Sequence, residues 1–589
     1  MNPPVCASRR FSLATCLCAP SCRSLAFVHG GIPVKRIPAR PDMGHLKKQA
    51  KQLLAAYRAG SAQAMEQLRS HLPAAKGLAD EALAAKDLRL HDAQSCVARE
   101  HGFASWSELS GYVEACQRLA ADPEKSRLHW LALVYAGDVA GGTHRAQPAL
   151  ARRLLDERPE LAGSDGSDPW VACATGNLAV LREAGRNDPG WLRRAGGPLA
   201  LPPLMAVTHS CLLRLPEFTE HLHACARWLL DAGADPLQTI GNRWPPASLQ
   251  SPSDTERLSA LYGAAGQNHD AQLTQMLLQA GANPNDGESL YHSLEGTPAS
   301  RECTRLLLQA GARVDGSNAL FRVLDLDDVQ ALRLLLDHGA DPNEDNGQGE
   351  WGRPLLWAIR RRRSPAHVQA LLDAGADPSV RTPQGLRAAA LARRFGLANV
   401  AALLEQAAGS EPTTPQEQLL AACAVGDAAQ ARRLAAAHPG LLQGLAPEQL
   451  RMLPELAALG CMDAVRCMVE LGWPIAARGG DWDASALNQA VFRGDAAMAR
   501  FLLEHGAQWT ERHAYGDNCA GTLCWASLNR PESTEPGGGD WLGCAQALID
   551  HGMPLARPDP EAPGCVLIDG SRQRYPEEIA DLLLGVAAG

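Results

Sequence analysis

The chain has 589 residues, more than one ordinary hydrophobic core is built to serve. Hydrophobic residues make up 46% of it but aromatics only 5%, so Leu and Ala must carry the packing, as narrow helix–helix seams favour. A net charge of −9, from 56 basic and 65 acidic residues, argues against general attraction to nucleic acid or to an anionic membrane surface.

Residues 1–42 differ from the rest. The stretch through Gly30 holds four cysteines (6, 16, 18 and 22) and no acidic residue. Arg9-Arg10 followed by Phe11–Ala19 has the outline of a signal peptide, and Leu13-Ala14-Thr15-Cys16 that of a lipoprotein cleavage box. The apolar run is only nine residues, and Pro20 and Arg23 close it without a clean small-residue site. The segment is expected to be a leader outside the fold, either unstructured or counted from too early a start, with Met43 the true beginning.

From Gly44 a helical module begins and is expected to fill 43–122. Leu46, Ala50, Leu53, Leu54 and Tyr57 share one helical stripe, with Lys47, Lys48 and Lys51 facing away. Gly60 ends that helix and Ser61 caps the next. A later helix stops at Gly102, and Ser105 caps another that runs to about Ala120. Three lysines are too few for a polybasic membrane signal, so the lysine stripe reads as a solvated face.

The remainder, 125–589, keeps returning to one phrase. Leu371-Leu372-Asp373-Ala374-Gly375-Ala376-Asp377-Pro378 has close copies ending at Pro236, Pro284, Val314 and Pro342, and looser ones around Gly472, Gly506 and Gly552. The glycines at 281, 311, 339 and 375 lie 30, 28 and 36 residues apart. That period means a stack of small units, each packed only on its neighbours. Paired leucines close a helix, and Gly suits the left-handed position that follows. Asp-Pro or Asn-Pro then turns the chain out of the helix direction. A shorter first helix precedes each second one, as at Ser259–Ala265, Ser317–Phe321, Arg353–Ala358 and Ala484–Ala490.

These helix–turn–helix units resemble the ankyrin repeat family, whose repeat opens with Thr-Pro-Leu-His-x-Ala and spans about 33 residues. The opening is degenerate here, as in Pro203-Leu204-Met205-Ala206, and the closing phrase is best kept from Trp228 to Pro378. The resemblance implies an all-α, ankyrin-type solenoid of about a dozen repeats over 125–589. The phrase Ala98–Trp106 and the lysine-rich start resemble an N-terminal helical module found beside ankyrin repeats in bacterial proteins, which implies a bacterial source.

Other fragments yield to plainer readings. Asp341, Asn343 and Asp345 have the alternation of a calcium loop, but the glycine falls one place late and Gly352 stands where a bidentate Glu belongs. His221 and His223 read as rim residues. The run Arg360–Arg363 suits the negative end of a helix dipole and solvent. Gly537-Gly538-Gly539 reads as a loop rather than a phosphate cradle. The seventeen cysteines show no paired C-x-x-C, and with most inside helical patterns they point to a reducing, cytoplasmic compartment. No metal or cofactor is expected.

What stands out is the set of long turns at 238–257, 343–352 and 510–521. Trp244, Trp351 and Trp482 sit on or beside turns, where large aromatics either serve as anchors for a partner or fold back over their own repeat. In ankyrin arrays the turns and first helices form the concave binding face. The expected function is therefore protein binding, as scaffold, adaptor or inhibitor, with an effector acting on a host protein as a variant of it. The competing class is an enzyme with its site in the N-terminal module or in an insertion at 510–545. No nucleophile–base pair or metal set supports that class.

Overall fold

The computed structural model describes residues 35–585 apart from 36, 39–40, 123–124, 163–167, 298–300, 532–537 and 563. Most of the leader, with its cysteines, lies outside the described residues. The chain divides into two compact units, one holding Pro20–Asp341 and the other Pro342–Gly589.

The first unit opens with helices Met43–Arg58, Ala62–His71, Asp80–Ala84, Leu90–Glu100 and Trp106–Ala121. The apolar stripe is buried as its spacing dictates: Leu46, Ala50, Leu53, Leu54 and Tyr57 are the buried residues of the first helix. Tyr57 keeps its hydroxyl satisfied inside by donating to the carbonyls of Leu83 and Lys86, both at 2.6 Å. Ser61 and Ser105 cap their helices through the amides of Ala64 and Glu108. The module also holds on to residues before it. The Lys35 amide donates to the Glu100 carbonyl at 3.0 Å, and Asp42 caps the first helix through the His45 amide.

Among the described residues six helix pairs follow in this unit, from Ser126–Val134 with Pro148–Glu157 to Ala319–Asp325 with Val329–Asp337. Six more occupy the second unit, from Pro354–Arg360 with Pro365–Asp373 to Cys519–Asn529 with Trp541–Asp550. First helices stack on first helices and second on second. Pro354–Arg360 packs on Ala388–Arg394 and that on Pro415–Ala424, while Pro365–Asp373 packs on Ala398–Ala408. The stretch 510–545 is thus not simply an insertion, because it carries the first helix, Cys519–Asn529, and the start of the second, from Trp541, of one more pair. Within each unit the helix pairs form an all-α, ankyrin-type stack. Leu277, Leu307, Leu335 and Leu371, from successive closing phrases, are fully buried in the seams, each contributing roughly 1.5–3 kcal/mol.

The closing phrase works as its chemistry predicts. Gly375 takes φ 96°, its amide donates to Leu372, and the Ala376 amide reaches back to Leu371, the two bonds of a Schellman motif. A second device joins successive turns. Asn285 accepts from the Arg313 amide at 2.8 Å and donates to the Gly311 carbonyl at 3.1 Å. Asn343 repeats both bonds one repeat pair on, with the Asp377 amide and the Gly375 carbonyl, and Asp315 accepts from the Asp341 amide. The polar residue after Pro284, Val314 and Pro342 therefore ties its turn to the next. This accounts for Asn343 without calcium, and Asp345 is occupied by the Gly347 amide and by Arg353.

Strands are few. Thr239–Gly241 pairs with Arg257–Ser259, and Arg478–Gly479 with Ala484–Ser485, each making a small antiparallel ribbon in a long turn. Arg557–Pro558, Val566–Ile568 and Ser571–Gln573 form a three-stranded sheet that the helical reading does not anticipate. Its local cause is Asp569-Gly570, both at positive φ, between β-branched Val566 and Ile568 and the returning strand. No described helix is long and apolar enough to cross a membrane.

Candidate functional site: an aromatic and arginine-lined face

In the second unit the rings of several first helices and turns form a ladder. Trp482 lies in the turn 480–483, Phe492 near the end of helix Ala486–Arg493, and Trp525 on helix Cys519–Asn529. Phe492 stacks on Trp525 with centroids 5.5 Å apart and ring planes 10° from parallel, and it meets Trp482 at 5.4 Å. Trp482 in turn abuts His513 edge-on at 4.8 Å, and Tyr515 follows at 5.9 Å. The ladder emerges at its ends. Trp525 is 40% exposed, and Leu528, three residues on and so on the same helix face, is exposed with it, as is Tyr515. On the other side of that helix Leu523, Ala526 and Ser527 are buried, so the packing holds Trp525 outward.

Trp482 itself is only 9% exposed. As a residue that projects to meet a partner it is corrected: it stands behind the ladder, wedged between Phe492 and His513. Trp351 also folds back. Its ring meets Phe395 edge-on at 6.2 Å and lies 4.4 Å beneath the Arg360 guanidinium. Trp244, in the first unit, does project, being 38% exposed. Its neighbour Arg243 is buried and anchors the loop by donating to the carbonyls of Val139 at 2.6 Å and Leu199 at 2.7 Å. Anchoring one side chain inward leaves the next outward. In protein labelled with 5-fluorotryptophan, the resonances lost in Trp244→Phe and Trp525→Phe should show a clear shift between H2O and D2O. The Trp482 and Trp357 resonances should show little, and a protected Trp244 would refute its placement.

The arginine run is not the solvated face that its position suggested. Arg360 is 10% exposed and Arg361 sits over the Trp357 ring at 4.3 Å, a cation–π contact. Both guanidiniums meet one carboxylate: Arg360 Nη2 lies 2.6 Å from Asp481 Oδ1, and Arg361 Nη1 lies 3.0 Å from Oδ2. Burial pushes the Asp481 pKa up, but the charges of Arg361 and Arg360 outweigh it and hold the carboxyl below its usual range. Trp351 and Trp482, far apart in sequence, are thereby linked through Arg360 and Asp481.

The first unit holds a different polar cluster. Buried Asp138 accepts from the Tyr262 hydroxyl at 2.9 Å and from Gln267 at 2.7 Å. Tyr262 opens a π-helical turn, Tyr262–Gln267, and its ring faces His292 at 5.2 Å. His292 sits between Glu288 at 3.3 Å and Glu295 at 3.1 Å, and Glu295 also meets Arg322. Burial lowers the His292 pKa, but its bonds to the two glutamates override this and raise it to about 9. Its share of stability is complete below the unfolded value near 6.5 and is lost as pH rises through about 9. Buried His209 and His269 are lowered by desolvation to about 4, so stability also falls as pH drops from about 6.5 toward 4. The melting midpoint of the full chain should therefore decline on both sides of neutrality, and His292→Asn should flatten the alkaline limb alone. His223, expected at a rim, is buried too, its Nε2 2.9 Å from Asp270.

Among the described residues no group of three His, Cys, Asp or Glu side chains is placed to hold a metal ion. The described cysteines are all free thiols, most of them buried. Treatment with EDTA is expected to leave the melting midpoint unchanged, and a clear drop would point to a ligand set that this geometry lacks.

No family model matches the chain, and no curated protein matches it. Among solved structures it is similar to the human ASB11 ankyrin repeat domain, at 20% identity and a TM-score of 0.30, over 42% of this chain and 100% of that one. It is also similar to the ankyrin repeat domain of Bcl-3, at 18% identity and a TM-score of 0.21, over 46% of this chain and 99% of that one. The repeat architecture described above rests on the chain's own helix pairs, left-handed glycines and turn ties.

Proposed function

We propose that the array works as an adaptor that binds another protein, and that the face around Trp525, Leu528 and Tyr515 is its main contact. One observation carries this reading. A tryptophan stacked on Phe492 is held rigid, exposed and beside further apolar side chains, so it offers a large contact area at little cost in rotamer freedom. Trp244 supplies a separate anchor in the first unit, while Trp351 and Trp482 act from behind by fixing the residues in front of them.

The test uses the full chain as bait. Proteins captured by the wild type and lost by the Trp525→Ala/Leu528→Ala double variant, with melting midpoint preserved, are the expected result. If capture is identical for the two baits, the face is not the contact and the reading falls.

A further inference from the structure

The turn that carries Trp482 also carries one side of a carboxylate site. Arg360 and Arg361 converge on Asp481 from the end of helix Pro354–Arg360, about 120 residues away in sequence. The receiving side is fixed without help from Asp481. Arg360 lies between the rings of Trp351 at 4.4 Å and Trp357 at 5.7 Å, Arg361 lies over Trp357 at 4.3 Å, and Trp351 is braced by Phe395. A guanidinium stacked in this way keeps its planar fork aimed and loses little freedom on binding. The occupant is the opposite. Asp481 is 40% exposed, against 10% for Arg360, and sits in a short turn between the strand pair Arg478–Gly479 and Ala484–Ser485. Gly480 precedes it at φ 78° and Asp483 follows at φ 46°. Both guanidiniums meet the same Asp481 carboxylate. Trp482 is seated on Phe492 and His513, so the Asp481 side chain can leave while its neighbour stays.

Resting on the protein-binding reading above, we propose that Arg360 and Arg361 form the receptor for an acidic residue of the partner, and that Asp481 is a built-in competitor for it. The partner's Asp or Glu takes the place of the Asp481 carboxylate, which turns out to solvent, and an apolar residue further along the partner lies on Trp525. Ring steps of 5.4 and 5.5 Å lead from Trp482 to Trp525. That is about three residues of extended chain, and with the clamp beside Trp482 the proposal sets the acidic and apolar residues about three to five positions apart. The arginine clamp selects the partner by charge, the aromatic end supplies apolar contact, and the competitor holds affinity down until the correct segment arrives.

The experiment measures fluorescence anisotropy of a labelled twelve-residue synthetic peptide, Gly/Ser-based, with one Glu four positions before a Leu, and of its Glu→Gln twin. The full chain is used in wild-type, Asp481→Asn, Arg360→Gln/Arg361→Gln and Trp525→Ala forms. Asp481→Asn should bind the Glu peptide about tenfold tighter than wild type and leave the Gln twin unchanged, a difference of ~1.4 kcal/mol. The arginine double variant should bind the two peptides equally. Should Asp481→Asn melt lower through loss of these two ion pairs, the Glu peptide should restore the midpoint and the Gln twin should not. Equal affinity of wild type and Asp481→Asn for the Glu peptide, or no preference for Glu over Gln, overturns the proposal. If in that event Trp525→Ala still abolishes capture of the partner, the protein-binding reading stands and only the carboxylate receptor is lost.

Discussion

Gly494→Val is expected to release the last repeats from the rest of the second unit, at a cost of about 2–5 kcal/mol. Gly494 ends helix Ala486–Arg493 in the left-handed region, at φ 72° and ψ 26°. A side chain there costs about 1–2 kcal/mol of backbone strain. It also meets the main chain of the next repeat: a Cβ would stand 2.5 Å from Gly539 Cα and 2.9 Å from the Asp540 amide nitrogen. Main chain cannot rotate away, so the overlap adds about 1–3 kcal/mol and breaks the bond from the Asp540 amide to the Gly494 carbonyl, now 2.8 Å. Gly375→Val is the matched control. Gly375 is equally left-handed, but nothing lies within 4 Å of the position its Cβ would take, so only the strain of about 1–2 kcal/mol should appear. In a stacked array each unit contacts only its neighbours, so both losses should be local. The denaturant curve of Gly494→Val should split into two phases while that of Gly375→Val shifts modestly. Equal effects would mean that Gly539 is not packed against this turn.

How far the sequence led follows from the range of each interaction. The left-handed glycines, the caps at Ser61 and Ser105 and the buried stripe of the first helix are set within a few residues, and all are legible from the chain alone. The ties made by Asn285 and Asn343 leave a trace in sequence, a polar residue after the closing Pro. Their partners lie about one repeat away, so the trace passes for a fragment of a calcium loop. The sheet at 557–573 also has a local signal, Asp569-Gly570 beside β-branched residues, which helical periodicity upstream masks.

The proposed face is less legible because it depends on where the stack of helices brings distant turns. Trp351 is on a turn, as its position indicates, but whether it projects depends on Arg360 and Phe395. Arg360 and Arg361 look solvated until Asp481, from four helix pairs further along, is placed against them. Trp525 and Leu528 carry an i, i+3 apolar signal on a helix whose other side is already apolar. With both sides hydrophobic, sequence cannot tell which one the array buries.

Trp525→Ala and Trp482→Ala should fail in opposite ways. Both rings touch Phe492, so removing either weakens the ladder by about 0.5–1.5 kcal/mol of ring contact. The consequences then diverge. Trp482 is wedged among Phe492, His513 and the turn that carries Asp481, and its truncation leaves a cavity costing roughly 3–5 kcal/mol of stability. Trp525 has water over much of its ring, so the folded state barely notices its loss beyond the stack. A partner seated on that ring loses its anchor, which weakens binding by about 2 kcal/mol, or roughly 30-fold in Kd. Melting midpoints and affinity for the captured partner, measured on the same preparations, separate the two. A stable Trp525→Ala that binds as tightly as wild type would show that the exposed end of the ladder is not where the partner sits.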